Sequence, residues 1–451
     1  MAKVLISFLG VAADGYKPAN YQFNDKTVIS STFIAKALKE YHQIDKLILI
    51  GTAHSMWDEV YKALGKDGTN YNIEKYKHLK QICTASNHDT ILKENEIKSI
   101  EDGFGINTKV IIIKYGLNDE EIAYNTKKVF SLETFLEKDD ILYLDITHSF
   151  RSLPIYLMNC LVYLKNVCNK NLSIESISYG MLDVSREFPT GNKVKVGEKE
   201  VDELWTPVVE LKKILDIQDW IIGAYNFKEF GNTYKIASLL EKDKSGNYDK
   251  VAMDIKEFAD IKNLNYLNTY MSATAKLQEL ATGSFLPEIG KMVIVPTMKD
   301  FISLFPQNLR LSKFQIRMAK WHNERHNYGF ALIMLVESIV SFCCEILRYD
   351  PYDRTKREDA KRIIKDKFYS IDKRERKKIK HFNFHDKEDY INLFCTEYES
   401  IKDIRNIIVH NNSNLKLSSI QLVESIGKEI EYFEGYIDKK RNVIKRHQLL
   451  K

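Results

Sequence analysis

The chain predicts an α/β domain built on a doubly wound parallel sheet, followed by an all-α domain. Two patterns carry that prediction. Over roughly the first 180 residues, strand-length apolar runs alternate with helix-length segments, and beyond Leu204 the hydrophobic period is mostly helical. A length of 451 residues accommodates two to three domains at roughly 150 residues each. Hydrophobic residues at 44% and charged residues at 29% are the composition of a folded, soluble chain.

The strands come first. Val4 to Leu9, Lys46 to Ile50, Lys109 to Lys114 and Ile141 to Ile146 are rich in Ile, Val and Leu and apolar at successive positions, as strands buried on both faces are. Ile174 to Met181 offers a fifth. Helical segments separate them: Val28 to Tyr41, Met56 to Leu64, Asp119 to Leu136 and Pro154 to Val167. Pro189 to Glu200, with Pro, Gly and alternating Lys-Val, reads as a hairpin or boundary, which places the first domain at residues 1–204. Residues 205–451 then read as helices over Val208 to Phe227, Tyr234 to Leu240, Val251 to Ile261, Tyr266 to Leu280, Arg317 to Leu347 with a break, and Tyr390 to His410. Thr282 to Pro296 is a candidate junction between two helical subdomains.

Composition excludes several classes. The six cysteines form no CxxC pair and no metal-like Cys/His cluster, so neither a disulfide scaffold nor a zinc module is expected. The first apolar stretch is too short for a signal core, and the densest apolar run, Phe330 to Val336, ends at Glu337. No membrane association is expected, and a reducing cytoplasm is the expected compartment. Net charge is +5, but 13 Lys/Arg against 5 Asp/Glu between Arg354 and Lys380 leave the remainder at −3. Six further Lys/Arg and no acid lie between Lys439 and Lys451. Such runs are either a solvated helix face or a surface for a polyanion.

In an open parallel sheet, ligands sit beyond the carboxyl ends of the strands. Those loops are polar and small here: Gly10 and Asp14 to Tyr21 after the first strand, Gly51-Thr52-Ala53-His54-Ser55-Met56-Trp57 after the second, and Asp145-Ile146-Thr147-His148-Ser149-Phe150-Arg151-Ser152-Leu153-Pro154 after the fourth. A GxGxxG fingerprint is missing, which argues against ordinary dinucleotide binding. Thr52, Ser55, Thr147 and Ser149 can hydrogen-bond phosphate or ribose, and Arg151 can fork onto a phosphate near a helix start. The same composition also suits a second role, in which Thr147, Ser149 and Ser152 cap the helix from Pro154 and Asp145 anchors its loop.

A second cluster lies at Ile401-Lys402-Asp403-Ile404-Arg405-Asn406-Ile407-Ile408-Val409-His410, before the turn-like 411–414. At 100° per residue Ile401, Ile404 and Ile408 form one stripe, while Asn406 and His410 fall i, i+4 on the opposite face. An Arg and a His are the groups a metal-independent ribonuclease needs: one stabilises charge on the phosphorane, the other moves the proton. The spacing alone is weak, because Arg317 with His322, Arg374 and Arg376 with His381, and Arg441 with His447 match it too. Arg405 differs in its polar neighbour, its apolar triplet and its helix end.

Taken together, Asp145 to Pro154, residues 15–23 (Gly-Tyr-Lys-Pro-Ala-Asn-Tyr-Gln-Phe), residues 51–58 and Arg405 to His410 give a chain that resembles the CRISPR-associated ribonucleases of type III systems. Those proteins join a CARF sensor, a CRISPR-associated Rossmann fold, to a HEPN ribonuclease domain. Ser149 stands where many relatives carry a glycine. The resemblance implies that a cyclic oligoadenylate, with the tetra-adenylate favoured over the hexa-adenylate, binds across two sensor domains of a homodimer or higher assembly. Gly10, Gly51, Thr52, His54, Ser55, Asp145, Thr147, His148, Ser149 and Arg151 would form the pocket. Arg405, Asn406 and His410 from both subunits would then cleave single-stranded RNA without a metal or other cofactor, leaving 2′,3′-cyclic phosphate and 5′-OH ends. The HEPN core would span about residues 310–445, and the basic run would hold the RNA. Two other readings compete. One is a ligand-responsive DNA-binding transcription regulator, which leaves Arg405 and His410 without a role. The other is a nucleotide-dependent enzyme, which the missing glycine fingerprint disfavours.

Overall fold

The computed structural model describes residues 1–451 except 12–14, 65–70, 105–106, 149–151, 197–198, 265, 285, 307, 375–386, 410–417, 439–448 and 450–451. Two compact units divide the chain at Asp216/Ile217.

The first unit is a mixed sheet sandwiched by helices. Its strands are β1 (Lys3–Phe8), β2 (Ala19–Gln22), β3 (Val28–Ser31), β4 (Lys46–Thr52), β5 (Thr108–Ile113), β6 (Ile141–Asp145), β7 (Ser173–Gly180), β8 (Pro189–Val196) and β9 (Lys199–Glu210). They lie in the order β3-β2-β9-β7-β6-β1-β4-β5, with β8 paired to β9. The five strands β7-β6-β1-β4-β5 run parallel. Both faces are covered, and the strand sequences show why. On β1, Val4, Ile6 and Phe8 pack with one apolar cluster and Leu5 with the other. Alternate side chains point to opposite faces, so a strand covered on both sides must be apolar at successive positions. The crossover helices are α1 (Ile34–His42), α2 (Trp57–Leu64), α3 (Ile73–Ala85), α4 (Glu94–Asp102), α5 (Asp119–Phe130) and α6 (Leu153–Asn166).

Two expected helices prove to be partly strand. Residues 28–31 form β3, and only from Ile34 does the chain turn helical. Val28 and Ile29 favour an extended backbone, and a tight turn with Lys26 at φ 68° folds β3 back on β2. Residues 208–210 belong to β9, which pairs with β2, β7 and β8. Val208 and Val209 are β-branched and pair with Gly180 and Tyr179 of β7, so the next helix starts only at Lys213. The boundary expected at 204/205 therefore falls inside a strand, because β9 completes the first unit's sheet.

The helical unit comprises α7 (Lys213–Phe230, entering from the first unit), α8 (Tyr234–Lys242), α9 (Asp249–Leu264), α10 (Leu267–Leu280), α11 (Glu288–Ser303), α12 (Leu311–Glu324), α13 (Tyr328–Leu347), α14 (Arg354–Ser370), α15 (Lys387–Val409) and α16 (Ser419–Asp438). One apolar cluster runs from Trp220 to Leu449, so the expected junction at 282–296 does not split the core. Helix α11 carries Pro296 in its interior. Helix α13 is long and apolar enough to cross a membrane, yet 72% of its most apolar window is buried inside the protein. It is the central helix of this bundle, packed by α12, α14, α15 and α16.

Candidate functional site

The sheet order reverses between β1 and β6, where one crossover leaves toward β4 and the other toward β7. A crevice opens at the carboxyl end of such a pair. Asp145, the last residue of β6, is wholly buried there. Its carboxylate accepts the Ser7 hydroxyl of β1 at 2.6 Å and the Thr147 N–H at 2.9 Å. One side chain thus ties the two strands together and sets the turn that presents Thr147 and His148. Thr147 in turn accepts the Gly180 N–H from β7 at 2.8 Å.

The loop after β4 is a self-contained polar knot. The Ser55 hydroxyl donates to the Leu9 carbonyl at 3.2 Å and accepts the Thr52 N–H at 2.9 Å. Trp57 donates its indole N–H to the Thr52 carbonyl at 2.9 Å. Thr52 and Ser55 are both buried. A Cβ on Gly51 would lie 2.8 Å from the Trp57 ring and 2.9 Å from the Ser55 oxygen, so the glycine admits the knot. His54 turns away to the Cys83 carbonyl, 2.9 Å from its Nδ1. Gly51, Thr52, His54 and Ser55 thus shape the loop, and none of them lines the cavity.

That cavity encloses about 480 Å³ and is lined by Gly10, Val11, Gly15, Tyr16, Lys17, Tyr21, Thr32, Thr147, His148 and Leu182. Of the residues expected from sequence, the structure brings Gly10, Thr147 and His148 to its wall, with Asp145 behind them. Ser149 and Arg151 lie outside the described residues. The His148 ring stacks on Phe33, centroids 5.6 Å apart at 16°, and contacts Tyr16 at 4.6 Å. Its Nε2 is buried and has no hydrogen-bond partner among the described residues. Burial pulls the imidazole below its ordinary pKa, against the attraction of Asp145, while burial pushes the Asp145 carboxyl up. The Tyr16 hydroxyl exchanges hydrogen bonds with the N–H and C=O of Gly10, at 3.2 and 3.1 Å. Tyr16, Lys17 and Tyr21 were visible in sequence only as part of the 15–23 motif. Thr32 and Leu182 carried no signal, since they reach the cavity through the β2-β3 hairpin and the turn after β7. A buried aromatic floor, an orphaned imidazole nitrogen and a lysine at the rim suit a ligand with flat rings and negative charge.

In the helical unit, the isoleucine stripe lies where its spacing predicts. Ile401 is buried, and Ile404 and Ile408 pack partly on the core. Arg405 and Asn406 are half-buried near the end of α15. His410 lies outside the described residues. The competing match at Arg317 is weakened by His322, which is fully buried among Tyr270, Trp321 and Phe330. Burial pulls that imidazole down to about 3, so it stays neutral and out of reach of substrate. Arg317 itself caps the Leu304 carbonyl at 2.8 Å. Glu337 pairs with Arg357 of the basic run. Among the described residues no group of three or more His, Cys, Asp or Glu could hold a metal ion.

Comparison with known proteins agrees with this architecture. Residues 4–182 match the family described as CRISPR system endoribonuclease Csx1, CARF domain. Residues 216–309 match the second domain of CRISPR-associated protein MJ1674. The chain is 30% identical to CRISPR-associated protein MJ1674 of Methanocaldococcus jannaschii, an alignment covering 100% of this chain and 78% of that protein. A solved structure of Enterococcus italicus Csm6 bound to cyclic hexa-2′-fluoro-hexa-dAMP is similar at 12% identity and a TM-score of 0.38, over 99% of this chain and 96% of the other. A sensor-type sheet at 4–182, a second domain at 216–309 and a likeness to MJ1674 that spans this whole chain converge: the chain belongs to the CRISPR-associated MJ1674 family, CARF-containing accessory proteins of type III CRISPR systems.

Proposed function

We propose that the protein is a cytoplasmic, cyclic-oligoadenylate-activated endoribonuclease that cleaves single-stranded RNA in antiviral defence. The observation that carries this reading is the cavity at the β1/β6 switch point, with His148 packed against both Tyr16 and Phe33 on its wall. An adenine ring offers a face to stack against these rings. Gly10 and Thr147 border the same space, and Lys17 supplies charge for a phosphate. The Csx1-type sensor match supports a cyclic oligoadenylate as the ligand; the ring proposed is the tetra-adenylate in preference to the hexa-adenylate. A homodimer or higher assembly would complete the site by symmetry.

In the helical unit Arg405 stabilises charge on the phosphorane, Asn406 orients the phosphate and His410 moves the proton between the 2′-hydroxyl and the leaving 5′-oxygen. No metal enters this scheme. The half-burial of Arg405 beside a fully apolar stripe supports the assignment, as does the removal of His322 from contention. The test is cleavage of labelled single-stranded RNA in EDTA with cyclic tetra- or hexa-adenylate, comparing wild type with His410→Ala. Cleavage giving 2′,3′-cyclic phosphate ends, and lost in the variant, is expected. RNA left intact by a protein that binds either ring would overturn the ribonuclease assignment.

A further inference from the structure

The histidines among the described residues of the helical unit are His322 and His326, and their surroundings differ. His322 is sealed in the core, whereas His326 is exposed. Helix α12 stops between them. The His326 N–H reaches the Asn323 carbonyl at 3.0 Å and the Asn327 N–H reaches the His322 carbonyl at 2.9 Å, with His326 left-handed at φ 58°. Such a stop favours glycine or asparagine, and here it carries an imidazole into solvent. The ring is fixed from one side. Its Nδ1 lies 2.8 Å from the Tyr328 hydroxyl, and the two rings meet edge to face with centroids 5.8 Å apart. Its Nε2 has no hydrogen-bond partner among the described residues. A partner on one ring nitrogen governs the protonation of the other, so the exposed nitrogen is set by the tyrosine.

Helix register places this turn at the end of the bundle that bears Arg405. Phe342 of α13 meets Phe394 of α15, ring centroids 6.0 Å apart. Tyr398, one turn later on α15, feels the charges of Glu337 and Arg405. Glu337 lies earlier on α13 than Phe342, so the two helices run antiparallel. From Phe342 back to Tyr328 is about 21 Å along α13, and from Phe394 forward to Ile408 is the same distance along α15. Tyr328 and Ile408 are therefore level, with Arg405 and Asn406 within one turn. Tyr328, Ile404 and Ile408 also pack against one core.

We propose that His326, steadied by Tyr328, protonates the leaving 5′-oxygen in RNA cleavage. This deepens the ribonuclease reading and rests on it, dividing between two imidazoles the proton work assigned above to His410. Cleavage by the neighbouring 2′-hydroxyl needs a base at that hydroxyl and an acid at the departing oxygen. The 2′-oxygen attacks phosphorus and its proton passes to His410. The bond from phosphorus to the 5′-oxygen breaks, and the proton on His326 Nε2 passes to that oxygen, leaving 2′,3′-cyclic phosphate and 5′-OH ends. In the charged ring the Tyr328 oxygen accepts the Nδ1–H, which leaves the Nε2 proton to give. Solvent exchange then resets both imidazoles.

The test is single-turnover cleavage by the full chain, with cyclic tetra- and hexa-adenylate present, of two single-stranded RNAs. One is ordinary, and the other carries sulfur in place of the 5′-oxygen at the bond the wild type cuts. A thiolate leaves without a proton, so the second RNA needs no acid. His326→Asn is expected to cut the ordinary RNA at least about 100-fold more slowly and the sulfur RNA at about the wild-type rate. Tyr328→Phe should show a smaller loss, again on the ordinary RNA alone, while His410→Ala should slow both. Asparagine and glycine suit the left-handed backbone, so His326→Asn and His326→Gly should keep or raise the urea midpoint, which separates lost chemistry from lost folding. Equal cleavage of the ordinary RNA by wild type and His326→Asn, or the same loss on both RNAs, overturns the role of His326 and leaves the ribonuclease. A wild type that cuts neither RNA with either ring removes the ribonuclease and this role with it.

Discussion

Asp145→Ala is the sharpest probe of the sensor crevice. The carboxylate is wholly buried and satisfies two donors, the Ser7 hydroxyl and the Thr147 N–H. Ser7 is itself fully buried, so water cannot replace the lost acceptor there. Leaving a buried donor unsatisfied costs about 1–3 kcal/mol, and Thr147 is half-buried and falls at the low end. Against this, removing a carboxyl whose pKa burial has raised relieves part of its desolvation penalty. The net loss for Asp145→Ala is about 2–3 kcal/mol, and about 1 kcal/mol for Asp145→Asn, which still accepts one bond. The assay is hydrogen exchange under native conditions, read on peptides covering β1 and β6, alongside calorimetric titration of cyclic tetra-adenylate. The alanine variant should exchange faster in both strands and bind the ring more weakly, because the turn bearing Thr147 and His148 is no longer pinned. A stability change below about 0.5 kcal/mol, the range of an ordinary surface substitution, would refute the anchor role.

Three further outcomes follow from the same geometry. His322 is held near 3 in the folded state against an ordinary 6.5, so its contribution is present above pH 6.5 and is lost as pH falls from there toward 3. Lowering the pH from 7 to 5 should cost the helical unit about 2 kcal/mol from this group alone, and urea unfolding of His322→Phe should lack that slope. Gly51→Ala places a methyl against Trp57 and Ser55 and should lower stability by about 1–3 kcal/mol, measured as the shift in urea midpoint. An unchanged midpoint would mean that the polar knot is slack. Tyr16→Phe removes both hydrogen bonds to Gly10 and should weaken ring binding severalfold in calorimetry while the melting temperature falls only slightly; unchanged affinity would contradict its place in the cavity wall.

The central strands were legible because each is buried on both faces and so is apolar without a break. Both misread helices, 28–41 and 208–227, begin with residues whose extended form depends on partners distant in sequence: β2 and β3 on each other, β9 on β2 and β7. Periodicity within a short window cannot contain that pairing. In the crevice, Asp145, Thr147 and His148 were readable because they follow a strand end directly. Thr52 and Ser55 looked like ligand hydroxyls, since composition cannot distinguish a side chain that meets a ligand from one that ties its own loop. Tyr16 and Tyr21 depended on a hairpin that brings residues 15–23 over the β6 end. The Arg405 stripe was legible from helical spacing alone. Five equivalent spacings could be thinned only by burial, which takes His322 into the core.

The central claim is that a ligand in the sensor crevice governs RNA cleavage by the helical unit. Single-turnover cleavage of labelled RNA, followed against cyclic tetra-adenylate concentration in wild type and His148→Ala, tests it most directly. The account predicts that the variant needs at least about tenfold more ring for half-activation, equivalent to about 1.4 kcal/mol of lost ligand interaction, and reaches the same plateau. Cleavage that does not depend on the ring, or a variant that activates at the wild-type concentration, would contradict it.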